Sequence, residues 1–466
     1  MDEDEVQIQR PSQCSKDNGH IERTGDVWTT SARVIGVSIG PAVPFLAWAI
    51  AQLGWIVGPA LMFLFSFVFC YTATLLADCY QLNQSYNNAV RANLGEVKAK
   101  ICRVFEFLYP LGMAIVAMIT ASISMMAIKR SDCFHESGEK NPCHMSSNLY
   151  MIMLGVSEII FSQIPNFEKN RWVRYITPIM SFIYLSVGLC LGVAQVAARR
   201  SFKGSLTGIS IGTVTQTRKI WRSFQAVGDI AASYSHLPIL NTIQNTIKSP
   251  PSEAKTMKKA TLLSLTITTA YKTLCFCIVY ATFGDCTPTT LLAGFGFYNP
   301  FWLLDFGNMA IIIHLASVYQ LCCRPLFAFV EKWAIQRWPN SEFTTREIPV
   351  PIPGFCTYKL NLFRLVWRSI FVVATTVISM IFPFSNDVAG MVGGLGFWPL
   401  TVYFPVEIYI VQMKIPKWSV EWVCLQILSL ACLIFSVAAL VGSIAGMVFD
   451  LKPYPPFKII RYDPFA

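Results

Sequence analysis

The stretch that decides the fold is residues 31–53, SARVIGVSIGPAVPFLAWAIAQL. It is apolar and long enough to cross a bilayer, because a transmembrane helix needs about 20 mainly apolar residues. Gly40, Pro41 and Pro44 interrupt it, and proline lacks the N–H that a continuous helix requires. Backbone freed at membrane depth is tolerated only where it lines a cavity or contacts protein. The stretch therefore predicts a membrane helix that is broken in its middle.

A second interrupted span lies near residues 222–240. Its middle carries helix-breaking and polar residues, namely Gly228, Ser233, Tyr234, Ser235, His236 and Pro238. The two interrupted spans are the first and the sixth along the chain, which is the spacing that an inverted repeat of five plus five helices predicts. Such repeats frame a binding site at the bilayer midplane. The alternative is a pair of proline-kinked helices without a ligand, since proline is common in membrane helices.

The whole chain has the composition of a membrane protein. Of its 466 residues, 54% are hydrophobic and 14% are charged, whereas a soluble domain carries about 25% charge. This composition excludes a soluble enzyme, a disordered chain and a nucleic-acid binder. About eleven stretches are long and apolar enough to cross a membrane. They run over residues 31–53, 55–77, 104–127, 147–166, 173–196, 222–240, 259–283, 300–330, 365–384, 387–411 and 421–448.

The sequence holds no motif of an enzyme or of a cofactor site. It lacks a Walker-type phosphate loop, an HExxH zinc motif and the nucleophile elbow of hydrolases. We therefore expect a protein that is not an enzyme, with no cofactor and no resident metal. The two interrupted spans are typical of a secondary transporter, and without a nucleotide site its transport would use an ion gradient. We expect the chain to contact the lipid bilayer and no nucleic acid.

Loop charges predict the orientation of the spans. The loops 78–103, 241–258 and 331–364 are rich in Lys and Arg, whereas 284–299 contains neither. The positive-inside rule then places the amino terminus in the cytosol. The basic loop 197–221 disagrees with this assignment. An odd number of spans puts the carboxyl terminus outside the cell.

These assignments divide the chain into three parts. We expect residues 1–28 to be a disordered cytosolic tail, because they are polar, acidic at the start and unlike a signal peptide. Residues 29–451 would form the transmembrane domain of a multi-pass cell-membrane protein, and residues 452–466 an extracellular tail.

Two cysteines lie in a polar loop after the third span. Cys133 and Cys143 flank the charged stretch of this loop, and His135 and His144 lie beside them. Such a group is compatible with zinc. The orientation above places the loop outside the cell, where oxidation favours a Cys133–Cys143 disulfide.

Several long motifs resemble the plant amino acid permease family of the amino acid/auxin permease superfamily. Among them are DVWTTSARVIG (26–36), FLAWAIAQLGWIVGPALMFLFSF (45–67), SQIPNFE (162–168), RPLFAFVEKWA (324–334) and GFWPLTVYFPVE (396–407). The resemblance extends over about residues 24–457. It implies an all-α integral membrane protein with about eleven transmembrane helices, a LeuT-like 5+5 inverted repeat plus one extra helix. It also implies a secondary active transporter that imports amino acids with protons at the plasma membrane.

The resemblance further implies where the substrate binds. In this fold, freed backbone N–H groups of span 1 take the substrate carboxylate. The implied substrate-binding residues are Ile39, Gly40, Ala42 and Val43 in span 1 and Ser233, Tyr234 and Ser235 in span 6.

Some positions depart from the family pattern. The family usually reads IGSGVLSLAW in span 1, whereas Pro41 and Pro44 here each remove one N–H. Thr242 and Asn245 replace a family Glu and Asp. These changes favour an alternative, a non-transporting sensor-like or vestigial permease paralogue. A permease for an auxin-like acid is a further alternative.

Three ionisable side chains lie inside predicted spans. A mid-membrane Asp costs about 2.5–3.5 kcal/mol, so Asp229 is either hydrogen-bonded to span 1 or used in proton coupling. His314 matches a family His and is a second candidate for proton coupling, the alternative being a structural buried histidine. Lys272 either pairs with Glu158 or another acid, or extends its amine to the membrane surface.

Overall fold

The structure is a computed structural model that describes residues 23, 25–79, 85–137, 146–164, 171–209, 214–296, 301–350 and 358–452. Its helices are α1 (Val27–Ser38), α2 (Leu46–Asp78), α3 (Tyr86–Leu94), α4 (Glu96–Ser137), α5 (Ser147–Gln163), α6 (Arg171–Arg199), α7 (Gln216–Ala232), α8 (Leu237–Gln244), α9 (Glu253–Phe283), α10 (Phe301–Arg337), α11 (Glu342–Thr345), α12 (Leu362–Ile381), α13 (Ser385–Gly396), α14 (Phe404–Gln412) and α15 (Val420–Leu451). A π-helical stretch, Phe397–Tyr403, joins α13 to α14. Strands β1 (Glu347–Val350) and β2 (Tyr358–Asn361) pair antiparallel within the predicted loop 331–364.

Helix α2 contains the end of span 1 and the whole of span 2. The two parts meet at Gly54, which has φ 84°, a conformation that favours glycine. A Cβ at this position would collide with the backbone of Gly208. The chain can therefore turn here only because residue 54 has no side chain. This confirms the boundary that the sequence predicts between spans 31–53 and 55–77.

The number of membrane crossings agrees with the sequence. Eight helical stretches in the described part of the chain are long and apolar enough to span a membrane. Three more crossings come from shorter pieces: α1 with the start of α2, α5 alone, and α7 with α8. Together these make the predicted eleven. The two interrupted spans fall short of the usual length because each is divided into two half-helices.

The helix packing brings corresponding spans of the predicted repeat together. Helix α2 packs along α9, and α4 packs along α10. These pairs are spans 2 and 7 and spans 3 and 8, which are corresponding members of a five-plus-five repeat. The eleventh span, α15, lies outside the repeat and packs on α7 and α13. The fold is thus an all-α bundle with an inverted repeat and one extra helix.

The predicted disulfide loop is described in part. Cys133 lies near the end of α4 and is disulfide-bonded. Its predicted partner Cys143 and the neighbouring His144 lie outside the described residues, so the pairing stays a prediction. The ring of His135 packs on Phe301, with the ring centres 4.2 Å apart. Most of both predicted tails, residues 1–22 and 453–466, also lies outside the described residues.

Candidate substrate site at the two helix breaks

The first half-helix has a well-formed start and an early end. Asp26 accepts the Thr29 N–H at 2.7 Å, and the Thr29 hydroxyl in turn accepts the Asp26 N–H at 2.9 Å. The bond from the Thr29 N–H, which favours the charged form, lowers the pKa of the Asp26 carboxyl below its usual value. α1 ends at Ser38, because Ile39 leaves the helical region with φ −102° and ψ 81°. Span 1 therefore breaks where the glycine and proline pattern predicts.

Helical structure resumes with a short 3₁₀ turn, Val43–Phe45, that runs into α2. Pro44 occupies the start of this turn. The first N–H groups of a helix have no acceptor within it, so a proline is tolerated there. Pro44 therefore begins the second half-helix without disrupting it.

The break leaves backbone donors beside an open space. Val43 N–H donates to Gly40 O at 3.1 Å and Phe45 N–H to Ala42 O at 3.2 Å. The N–H groups of Ile39, Gly40 and Ala42 have no backbone acceptor among the described residues. A Cβ built on Gly40 would meet no atom within 4 Å. The backbone N–H groups of Ile39, Gly40 and Ala42 are thus available to a ligand, whereas the N–H of Val43 is already hydrogen-bonded.

The second break follows α7, and all three implied residues there are buried. Ser233 N–H donates to Ile230 O at 3.1 Å and Tyr234 N–H to Ala231 O at 3.0 Å, so the helix tightens before it stops. The Ser235 hydroxyl donates to Ala231 O at 2.8 Å. α8 then restarts with a proline in its first turn. Each of the three residues is thus hydrogen-bonded to a carbonyl of α7.

Side chains connect the two breaks directly. The Ser38 hydroxyl lies 3.2 Å from Nε2 of His236. The Lys272 ammonium donates to Ser38 O at 3.4 Å and lies 4.5 Å from the centre of the Tyr234 ring. The Tyr234 hydroxyl is 3.0 Å from Oγ1 of Thr269 on α9. The ends of both half-helices therefore meet around Lys272.

The position of Lys272 agrees with neither of the two alternatives drawn from the sequence. Its side chain is fully buried, so it does not extend to the surface. Glu158 lies elsewhere, between α5 and α10, where Gln320 Nε2 donates to its Oε2 at 2.6 Å. Sequence reasoning missed both His236 and Lys272 as members of the site. Their contacts join residues about 200 positions apart, and no local signal predicts such contacts.

Asp229 lies one helical turn before the second break. It is fully buried, and neither carboxylate oxygen has a hydrogen-bond partner among the described residues. A Cβ on Gly390 would lie 3.4 Å from its Oδ1, and one on Gly228 would collide with the backbone of Gly390, so α13 covers the carboxyl. One turn earlier on α7, Gln225 Nε2 donates to Oδ1 of Asp387 at 2.6 Å. Asp229 is therefore enclosed where α7, α13 and α15 pack tightly.

His314 is buried at the interface of α10 and α6, away from both breaks. Its Nδ1 lies 3.0 Å from Thr177 O, and its Nε2 has no partner among the described residues. Pro178, the residue after Thr177 on α6, packs against Gly36 of α1. A Cβ built on Gly36 would lie 3.4 Å from Cβ of Pro178. His314 is thus linked to the first half-helix through α6.

The bundle is closed at the end where α1 begins, which we call the near end. Gly25 N–H donates to Thr246 O at 3.0 Å, and Lys248 N–H donates to Gly25 O at 2.9 Å. Arg23 forms an ion pair with Glu253 at 3.2 Å. These contacts fasten the segment before α1 to the segment after α8.

The opposite end, the far end, is closed by backbone packing. Gly54 lies against Gly208, and Trp55 N–H donates to Ser205 O at 3.1 Å. The segment 201–209 therefore covers the junction of spans 1 and 2. Gly40 lies along span 1 between these two sets of contacts.

The structure gives the positions of Thr242 and Asn245, two residues that depart from the family pattern. Thr242 is exposed on α8, whereas Ser233, Tyr234 and Ser235 of the neighbouring break are buried. Asn245 is the buried cap residue at the end of α8, close to the near-end contacts and away from the open space at Gly40.

Comparison with known proteins identifies the family. Residues 23–449 match the family model for transmembrane amino acid transporter proteins. The chain belongs to this family. It is 58% identical over 464 residues to amino acid permease 2 of Arabidopsis thaliana, covering 98% of this chain and 94% of that protein. It is also 58% identical over 450 residues to amino acid permease 3 of the same plant, covering 95% and 94%.

More distant comparisons agree with the fold. The crystal structure of MhsT in complex with L-phenylalanine superimposes with a TM-score of 0.58 over 91% of this chain and 100% of that chain, at 10% identity. This likeness confirms the LeuT-type fold expected from the sequence. Membership of a transmembrane amino acid transporter family makes amino acid transport the activity of this multi-pass membrane protein.

Proposed function

We propose that this permease imports amino acids at the plasma membrane by proton symport, with the substrate held at the two helix breaks. The space beside Gly40 carries this proposal, because the N–H groups of Ile39, Gly40 and Ala42 border it without backbone acceptors. The second half-helix of span 1 begins at the same place. N–H groups at the start of a helix favour an anion, here the substrate carboxylate.

The second break supplies the other half of the proposed site. An amino acid also carries an ammonium group, which needs oxygen acceptors. Backbone and hydroxyl oxygens of Ser233, Tyr234 and Ser235 are acceptors of this kind. Val43, whose N–H is already bonded, would contribute an apolar wall.

Proton coupling is supported by the surroundings of Asp229. A buried carboxylate without partners is very unfavourable, so the enclosed carboxyl would hold a proton. Separation of α7 from α13 would hydrate the carboxyl and allow the proton to leave. The protonation state of Asp229 would thereby depend on whether this interface is closed. His314, with one unbonded ring nitrogen, is the second candidate proton carrier.

In alternating access, the near end and the far end of the bundle would open in turn. Opening the near end breaks the contacts of Gly25 and Arg23, and opening the far end separates Gly54 from Gly208. The half-helices of spans 1 and 6 would move together, since Ser38, His236 and Lys272 connect them.

The orientation also remains part of the proposal. Loop charge favours a cytosolic amino terminus, with residues 1–28 as a cytosolic tail, and an extracellular tail at 452–466. In this orientation Cys133 faces outward, and we assign Cys143 as its disulfide partner.

Uptake of labelled amino acids in a transport-deficient cell tests the proposal. We expect L-alanine, L-glutamate or L-lysine to accumulate faster at about pH 5 than at about pH 7.5, with empty-vector cells as the control. No uptake of any amino acid would favour the non-transporting paralogue, for which the missing N–H groups of Pro41 and Pro44 remain the argument. Uptake of an indole acid instead would favour the auxin-like permease.

A further inference from the structure

Lys272 is a charged side chain that the proposed carboxylate and proton sites do not use. It lies in the middle of α9 and is fully buried. Its ammonium contacts span 1 through Ser38 O at 3.4 Å and span 6 through the face of Tyr234 at 4.5 Å. One cation thus contacts the broken point of both interrupted spans.

Both contacts suit a positive charge. Ser38 is the last residue of α1, and the last carbonyls of a helix lack intrahelical partners and carry partial negative charge. The face of a tyrosine ring is also electronegative and attracts cations. No ion pair within the described ranges includes Lys272. The helix end and the ring therefore take the place of a carboxylate counter-charge.

Further hydrogen bonds and a ring contact connect the two breaks to α2 and α9. Ser38 is also linked to His236, whose ring centre lies 4.5 Å from that of Phe69 on α2. The Tyr234 hydroxyl reaches Thr269, one turn before Lys272 on α9. Thr269 then donates to the Ser66 hydroxyl of α2 at 2.9 Å. Through these contacts, α2 and α9 hold the residues of both breaks in place.

We propose that Lys272 is a positioning residue whose amine, through its contacts with Ser38 O and the Tyr234 ring, holds the two breaks in the geometry that binds the amino acid. This inference rests on the proposed substrate site at the breaks. Ile39 and Gly40 follow Ser38 directly, so a shift of the Ser38 carbonyl moves the donors for the substrate carboxylate. The amine of Lys272, and not only the volume of its side chain, is what this role requires.

The experiment measures binding by the purified full-length protein, without transport. L-Alanine, L-glutamate and L-lysine are titrated, and the dissociation constant is taken from the rise in melting temperature. Lys272→Met keeps a long side chain without the charge, and we expect its dissociation constant to rise at least about ten-fold. Lys259→Met removes an exposed lysine from the same helix and should bind as the wild type does.

A rescue arm separates charge from packing. Lys272→Ala should lose binding in the same way, and added ethylammonium should restore it, because the small cation fits the vacated space between Ser38 O and the Tyr234 ring. Ethylammonium should not restore Lys272→Met, whose side chain still fills that space. Equal binding by Lys272→Met and the wild type would overturn the inference and leave the proposed function intact. Absence of binding by the wild type itself would instead refute the proposed function.

A measurement on the wild type covers the case in which both variants fail to fold. Reductive methylation followed by peptide mass spectrometry reports the accessibility of each lysine. Bound amino acid should slow methylation of Lys272 at least about ten-fold relative to the substrate-free protein and leave the rate of the exposed Lys259 unchanged, because substrate holds the breaks around Lys272 in one geometry. An equal rate for Lys272 with and without substrate would overturn the inference.

Discussion

Replacing Gly40 by alanine tests the substrate site with a single methyl group. A Cβ on Gly40 meets no protein atom within 4 Å, so the folded protein has room for it. The amino acid must approach this same backbone to reach the N–H groups of the break. The methyl should therefore disturb the substrate and leave the fold unaffected.

The size of the effect follows from the cost of overpacking. One added methylene in a filled site costs about 1–3 kcal/mol. Since about 1.4 kcal/mol is a factor of ten, Gly40→Ala should raise KM roughly five-fold to 150-fold. The melting temperature of the protein without substrate should stay near that of the wild type.

Gly36→Ala is the matched control. It adds the same methyl one helical turn earlier in the same span, at 3.4 Å from Pro178, which is an ordinary contact. Alanine also favours the helix there by up to about 1 kcal/mol. Initial uptake rates over a range of substrate concentrations compare the two variants. An unchanged KM for Gly40→Ala would show that the open space is not where the amino acid binds.

Three further predictions address the proton, the disulfide and the orientation. Asp229→Asn should abolish the acceleration of uptake at acidic pH while exchange of amino acids continues, and a retained pH response would exclude Asp229 as the proton carrier. Thiol labelling of the native protein without reductant should miss Cys133 and Cys143, and labelling of both would refute the disulfide, which contributes roughly 2–4 kcal/mol. In intact cells an antibody should reach a tag at the carboxyl terminus but not one at the amino terminus, and equal access would refute the orientation.

The breaks were predictable because the signals that cause them are local. Gly40 and Pro41 interrupt an apolar run, and Pro238 follows a polar cluster, so both half-helices could be assigned from the sequence. The crossing from span 1 to span 2 was also predictable, because Gly54 lies between two apolar stretches that together exceed one membrane thickness.

The partners of the buried charges were not predictable. Lys272 was visible as a lysine within an apolar span, but its contacts with Ser38 and Tyr234 depend on how α1, α7 and α9 converge. The enclosure of Asp229 likewise depends on close packing against Gly390, far along the chain. The exposure of Thr242 on α8 also follows from helix packing.

Proton movement driven by substrate tests the account most directly. The purified permease is reconstituted into liposomes that enclose a pH-sensitive dye, with no pre-existing pH gradient. With proton symport, external L-alanine, L-glutamate or L-lysine should acidify the lumen of wild-type vesicles, and Asp229→Asn vesicles should show uptake without acidification. Uptake by the wild type with no change in internal pH would contradict proton symport.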